Sequence, residues 1–439
     1  MSTPALTRLR SATRETVRGL PTTFWWLWTS TLVNRLGSFV VTFLALYLTV
    51  DRGFSAAFAG AVASAFGLGG VFGAVAGGVC ADRLGRRPTL VAAQGLAALA
   101  TAAMGLARAP WLIAVLAALL GFTSNAARPA IQAVMADVVP TADRVRAYSL
   151  NYWAINIGFA VSAAAAGFIA AHGYLLLFLG DAATTLLCAL VVFLRIPETR
   201  PALPARPTAA PDNAADTASA VGMGTVLRDA AFMGLVGLTF LIAMVDGLGG
   251  TALPIEMGRN GFDAEAYGLV ISLNGLLIVL AQIPLTRLTE RRSRLLVLVT
   301  AALLDGVGFW LTDFAATLWF YALTVVVWTA GEMLRTPANM ALVAELSPTH
   351  ARGRYQGVYS LAWQGASFLA PLAAGAMLTG WGGSSVWSAC LVLGLLCSAG
   401  YVRLLRGHRQ TPEQASGLPA EQASGQAPVN ADDPVGAAS

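Results

Sequence analysis

Seven ionisable residues, Arg35, Arg128, Asp181, Asp246, Asp305, Glu332 and Arg335, stand inside long apolar runs of this 439-residue chain. A charge at the centre of a bilayer is costly unless it is paired or hydrated, so each is a candidate for work on an ion or a substrate. The chemistry open to them is proton binding and release. A carboxylate in a low-dielectric cavity holds its proton, and an arginine drawn alongside favours the ionised form. Moving that arginine switches proton affinity. Asp246 and Glu332 are the acids placed for this, with Arg335 within reach of Glu332 and Arg35 or Arg128 within reach of Asp246. The plainer alternative is that Glu332 and Arg335, three apart on one helical face, only pair with each other.

The elements that must position these residues are apolar segments near 24–50, 55–80, 88–107, 110–136, 147–171, 174–195, 230–256, 264–286, 295–312, 316–344, 355–379 and 384–405. Each has the roughly 20 residues that carry a helix across the hydrocarbon core. The chain is 56% hydrophobic and 12% charged, against about 25% charged in ordinary soluble domains. The expected class is an all-α polytopic membrane protein of twelve transmembrane helices. A Pro- and Ala-rich stretch divides them into two sets of six. The expected organisation is a tail at 1–23, a six-helix bundle at 24–195, a linker at 196–229, a second bundle at 230–406 and a polar tail at 407–439.

All 28 basic residues are arginine. On the twelve-helix reading they crowd one side of the membrane, in the 1–23 tail, the 83–87 loop, the linker and the 287–294 loop, while only Arg52, Arg108 and Arg259 fall opposite. That asymmetry places the 1–23 tail, the linker and the 407–439 tail in the cytoplasm of a cell whose plasma membrane holds the protein. The net charge of +5 therefore reports topology and not a nucleic-acid partner. His172, His350 and His408 lie in loops or the tail, and Cys80, Cys188, Cys390 and Cys397 in or beside apolar runs. No metal-ligand or nucleophile–base cluster emerges, so no cofactor, no metal and no enzyme activity is expected. With no lysine and no phosphate-binding glycine loop, transport driven by ATP through this chain is not expected either.

The two halves repeat. A shift of 208 residues, without a gap, lays Pro129 on Pro337, Ala133 on Ala341, Asp137 on Glu345, Pro140 on Pro348, Arg144 on Arg352 and Arg146 on Arg354. Between the second and third segments stand Gly78, Asp82, Arg83, Gly85, Arg86 and Arg87. This spacing, G-x3-[DE]-[RK]-x-G-x-[RK]-[RK], resembles the loop between helices 2 and 3 of the major facilitator superfamily.

The resemblance implies two pseudo-symmetric six-helix bundles with the substrate site between them near mid-membrane. It further implies a gating role for the loop, with Asp82 facing the start of helix 11 and Arg86 paired with Asp137. It puts helices 1, 4, 7 and 10 around the cavity, hence Arg35, Arg128, Asp246, Glu332 and Arg335. Asp181 and Asp305 would sit on outer helices, in a structural pair or a water-filled crevice. Asn151, Asn156, Trp363 and Gln364 are further candidates for substrate contact. The 331–348 stretch resembles helix 10 of proton-coupled peptide transporters and drug exporters. Thr31 and Asn34 stand where peptide transporters carry glutamates, which argues against peptide import. Two drug-antiporter patterns are incomplete here: Ala117 occupies the arginine position of one, and the 156–160 stretch lacks the proline of the other. The resemblance is to bacterial proton-coupled drug-exporter groups. The expected activity is secondary active transport of a small, lipophilic organic molecule by a monomer, as a proton-coupled exporter. Proton-linked import of a small organic solute, or a sensor or enzyme on the same scaffold, are the alternatives.

Overall fold

The computed structural model describes residues 19–140, 143–199, 223–289, 292–348 and 352–410. Most of the expected tails and linker lie outside these residues. Each apolar run is a helix, because only the chain itself can satisfy its backbone groups inside a bilayer. In order they are α1 (Thr22–Asp51), α2 (Ala56–Arg83), α3 (Arg86–Leu106), α4 (Pro110–Val138), α5 (Arg144–Ala171), α6 (Tyr174–Arg195), α7 (Ala230–Arg259), α8 (Ala264–Thr289), α9 (Arg294–Trp310), α10 (Leu318–Leu346), α11 (Arg352–Gly380) and α12 (Gly383–Gln410). Eleven of these are long and apolar enough to cross a membrane. The twelfth, α10, has the length at 29 residues but carries Glu332, Arg335 and several aromatics with polar atoms.

Several helices begin where the sequence supplies a cap. The side chains of Ser55, Asp229, Ser293 and Thr317 accept from the N–H groups of Phe58, Phe232, Leu296 and Phe320, each satisfying a donor the first turn leaves open. The outward faces are apolar: Phe72, Val75, Leu99, Leu186 and Leu190 are all exposed, as lipid contact requires.

The sequence reads 24–50 as one unbroken helix. The structure breaks α1 after Leu36 and restarts it at Val40, ending it in a wider π turn over Tyr47–Asp51. At Gly37 the backbone lies so close to α6 that a side-chain carbon there would overlap Thr184. The restarted segment takes its cap from that same helix. Asp181 Oδ2 accepts from the N–H of Val40 at 3.1 Å.

The two sets of six helices meet through α2 against α11 and α5 against α8. Both contacts are built on glycine, and both follow the 208-residue repeat. A side-chain carbon at Gly60 would overlap the carbonyl of Pro371, and its counterpart Gly268 meets the carbonyl of Ala163 in the same way. Gly67 and Gly275, and Gly167 and Gly375, repeat the arrangement. These seams lie toward the end of the bundle opposite the 84–85 turn. Nearer that turn α2 and α11 part, and neither Gly78 nor Gly357 has anything within 4 Å of the place its side chain would occupy.

Candidate functional site

A cavity of about 630 Å³ opens on the inner side of the second six helices, with Arg128 reaching it from the first six. It runs from Met340 and Gln356, near the parted ends of the helices, to Ile271 and Ser367 beside the seam. Tyr267, Phe309, Trp328, Tyr359 and Trp363 give it aromatic walls. Its charged floor converges from three helices. Arg335 of α10 is buried, donating from Nη2 to Asp246 Oδ2 of α7 at 2.9 Å and from Nε to Asp305 Oδ2 of α9 at 3.0 Å. Its guanidinium also lies over the ring of Trp363, 5.5 Å from the centroid.

Glu332 is not part of that triad. Its Oε2 accepts from Asn274 Nδ2 of α8 at 2.9 Å, and Asn274 also donates to Thr329 at 3.1 Å. Glu332 lines the cavity beside Asp246 and Arg335. The expected pairing of Arg335 with Glu332 is therefore replaced by pairing across helices, and Asp246 is held by Arg335, not by Arg35 or Arg128. The physical reason is reach. A guanidinium at this depth turns inward to two carboxylates on α7 and α9, whereas its neighbour one turn back faces α8. Asp305, expected on an outer helix, has its side chain turned inward and is 1% exposed.

Arg35 and Arg128 line a second cavity of about 280 Å³ within the first six helices. Arg128 lines the large cavity as well. Among the described residues neither guanidinium has a hydrogen-bond or ion-pair partner. Asp181 shares this smaller cavity, but its oxygens serve Val40 N–H and the hydroxyl of Thr185.

At the α2–α3 turn, Arg86 Nε lies 3.3 Å from Asp137 Oδ2 on α4. The repeat supplies the same contact in the second half, where Arg294 meets Glu345, each residue 208 positions on. Gly85 adopts φ +111° as the residue before α3, a conformation that favours glycine. Immediately beyond it, the backbone N–H groups of Arg86 and Arg87 donate to Glu198 at 2.9 and 3.1 Å, so an acid from the end of α6 caps α3. Thr199 adds a hydrogen bond to Asp137 at 3.0 Å. Arg87 reaches the carbonyl of Phe193 and lies over its ring, and Arg83 is the last residue of α2. Asp82 does not face α11 here: its side chain is 78% exposed and its partner is Arg86 at 3.8 Å. The parting of α2 and α11 at this end is the cause.

Trp363 and Gln364 line the large cavity. Asn151 and Asn156 line neither cavity: Asn156 bonds back to the carbonyl of Tyr152, and Asn151 is buried on the packed side of α5. Asn274 and Glu198 escaped the sequence reading. The first carries no charge in its apolar run, and the second sits in what reads as linker.

Two bundles of six helices, related by an internal repeat and enclosing a polar cavity, define the architecture of a membrane carrier. The profile of the Major Facilitator Superfamily matches residues 27–247 and 235–431. The chain belongs to that family and is a secondary transporter of its type. It is 24% identical to a Na(+), Li(+), K(+)/H(+) antiporter of Planococcus maritimus, over 84% of this chain and 92% of that protein. It is 26% identical to the multidrug resistance protein MdtH of Cronobacter sakazakii, over 64% of this chain and 67% of that protein. The fold is shared with a solved POT family transporter in complex with a thioalcohol-conjugated peptide, with TM-score 0.72 at 16% identity, over 90% of this chain and 97% of that one.

Proposed function

We propose that the protein is a proton-coupled exporter of a small, largely lipophilic organic molecule, working in the plasma membrane by alternating access. The observation that carries this reading is the division of labour among the cavity acids. Arg335 is bonded to both Asp246 and Asp305, while Glu332 faces the cavity with an amide for its partner. A carboxylate so placed can take a proton from cavity water, and any displacement of Arg335 redistributes charge among all three acids. Asp246 and Glu332 are then the proton-coupling pair. The aromatic walls favour an apolar body over a strongly hydrated one.

The parted end is the arginine-rich one, so the positive-inside rule makes it cytoplasmic and the conformation inward-open. Closure there would bring Asp82 to the start of α11, the position the loop resemblance implies for it. A multidrug resistance protein and a cation/proton antiporter among the relatives support export and exchange with protons. Import of an organic solute with the proton is the second reading, favoured by the shared fold with a peptide-bound transporter.

The test uses inside-out and right-side-out vesicles with an imposed pH gradient. Export in exchange for protons predicts that lipophilic solutes added to acid-loaded inside-out vesicles release luminal protons, read by a pH-sensitive acridine dye. Proton release confined to acid-loaded right-side-out vesicles, or no gradient-linked movement in either, would sink the reading.

A further inference from the structure

The 208-residue repeat has a discontinuity at its centre. The second half carries its ionic cluster at Asp246, Asp305, Glu332 and Arg335. The same positions in the first half are Ser38, Ala97, Ser124 and Ala127. All four line the smaller cavity. Where the second half is filled by three acids and an arginine, the first half is hollow and lined by small neutral side chains. Its charges come from elsewhere. Arg35 and Arg128 enter the hollow from α1 and α4, and neither finds a partner among the described residues.

Arginines at membrane depth require a counter-charge or water. The one acid in the same hollow, Asp181, holds the N–H of Val40 and the hydroxyl of Thr185, and lies in no ion pair. The protein thus supplies cationic donors in a hollow sized for a small group and omits the acids. Guanidinium forks match a carboxylate or a phosphate-like group in geometry as well as sign.

We infer that the substrate is an amphipathic organic anion whose acidic head sits between Arg35 and Arg128 in this hollow. Its apolar body lies in the wider aromatic cavity by Tyr359 and Trp363. Arg128, which lines both spaces, stands at the junction. This inference rests on the transporter reading for its biological sense, but the binding it describes needs no gradient.

The experiment is equilibrium binding to the full-length protein in detergent, read by intrinsic tryptophan fluorescence and by thermal shift. The probes are matched series sharing one aryl-alkyl body: the carboxylate, the neutral amide and the amine. The parent should bind carboxylates at least tenfold more tightly than their amides, and amines more weakly still. In Arg35→Gln and Arg128→Gln that preference should fall at least tenfold, with Arg35→Lys retaining part of it. A second variant does not remove an arginine. Ser124→Asp places an acid one turn before Arg128, at the position equivalent to Glu332. It should fill the hollow's charge, raise the melting temperature and abolish carboxylate preference.

A panel in which no acid binds more tightly than its amide overturns the inference. So does a Ser124→Asp protein that melts as the parent does and keeps the preference. Carboxylate preference in the absence of any gradient-driven movement leaves the site intact and defeats the transport reading instead.

Discussion

Arg335 donates to Asp246, 89 residues back along the chain, and not to Glu332 one turn away on its own helix. Three helices are thereby tied at one guanidinium, and one cavity acid is left outside the tie. Glu332 instead holds the amide of Asn274 on α8.

Replacing Glu332 by Gln keeps the hydrogen-bonding shape toward Asn274 but removes the exchangeable proton. Glu332→Gln is expected to abolish pH-gradient-driven accumulation while gradient-free exchange of substrate continues. Reconstituted vesicles assayed with and without the gradient decide it. Asp246→Asn should also lose coupling, and with it part of the grip on Arg335. Full gradient-driven transport in both variants would move the proton site elsewhere.

Asp305 sits on a helix expected to lie outside the cavity, but its burial and its 3.0 Å bond to Arg335 tie it to the cavity's charged floor. The substitution Asp305→Asn weakens a buried charge-assisted hydrogen bond to Arg335 Nε, while Asp246 keeps the guanidinium paired. It should therefore lower stability by about 2 kcal/mol, seen as a fall in melting temperature by tryptophan fluorescence. A melting curve superimposable on the parent's would refute this.

The cap on α3 gives a local prediction. Glu198→Ala removes the acceptor shared by two N–H groups and should cost about 1 kcal/mol of local stability. Hydrogen exchange at Arg86 and Arg87 should accelerate while the amides in mid-α3 stay protected. Asp82→Asn, by contrast, alters an exposed group whose approach to Arg86, at 3.8 Å, is longer than that of Asp137. It should leave exchange and melting unchanged here and slow turnover. Parental turnover in that variant would remove the loop from the gate.

Gly78 and Gly357 have open space now, yet the antiparallel register that sets Gly60 against Gly375 extends to set Gly78 against Gly357. When the arginine-rich end closes, the two should meet. Gly78→Cys with Gly357→Cys, in a protein lacking its native cysteines, should form a disulfide slowly in the resting state and quickly during turnover. Gly78→Leu should insert and melt normally but fail to cycle. An actively cycling Gly78→Leu transporter would contradict the register.

Much of the fold is legible in the sequence because hydrocarbon imposes a length and an apolarity on every span. The Arg86–Asp137 contact is legible because the loop spacing carries a known resemblance, and its copy at Arg294–Glu345 because the repeat carries it forward. The break at Gly37 is not legible: Val33 to Phe39 reads as helix, and only the approach of α6 with Asp181 and Thr184 explains the interruption. Nor are the partners of Arg335. Helical periodicity relates residues three or four apart, and the convergence of α7, α9 and α10 is a tertiary fact. Asn151 and Asn156 mislead for the opposite reason. Polar residues in a span suggest a cavity, but Asn156 turns back to the carbonyl of Tyr152 and Asn151 is buried away from both cavities.

The glycine seams have a thermodynamic consequence. Where backbone meets backbone at Gly60, Gly67, Gly268 and Gly275, opening the contact exposes little apolar side-chain surface. Heat-capacity change scales with exposed apolar area, so separating these helices should change heat capacity very little. The balance between the two end states should then follow a nearly straight van't Hoff line across the growth range. A carrier closed by interlocking leucines would curve, its balance passing through an extremum and reversing its drift on either side. Here the enthalpy difference alone should set how the balance drifts with temperature, at one rate throughout.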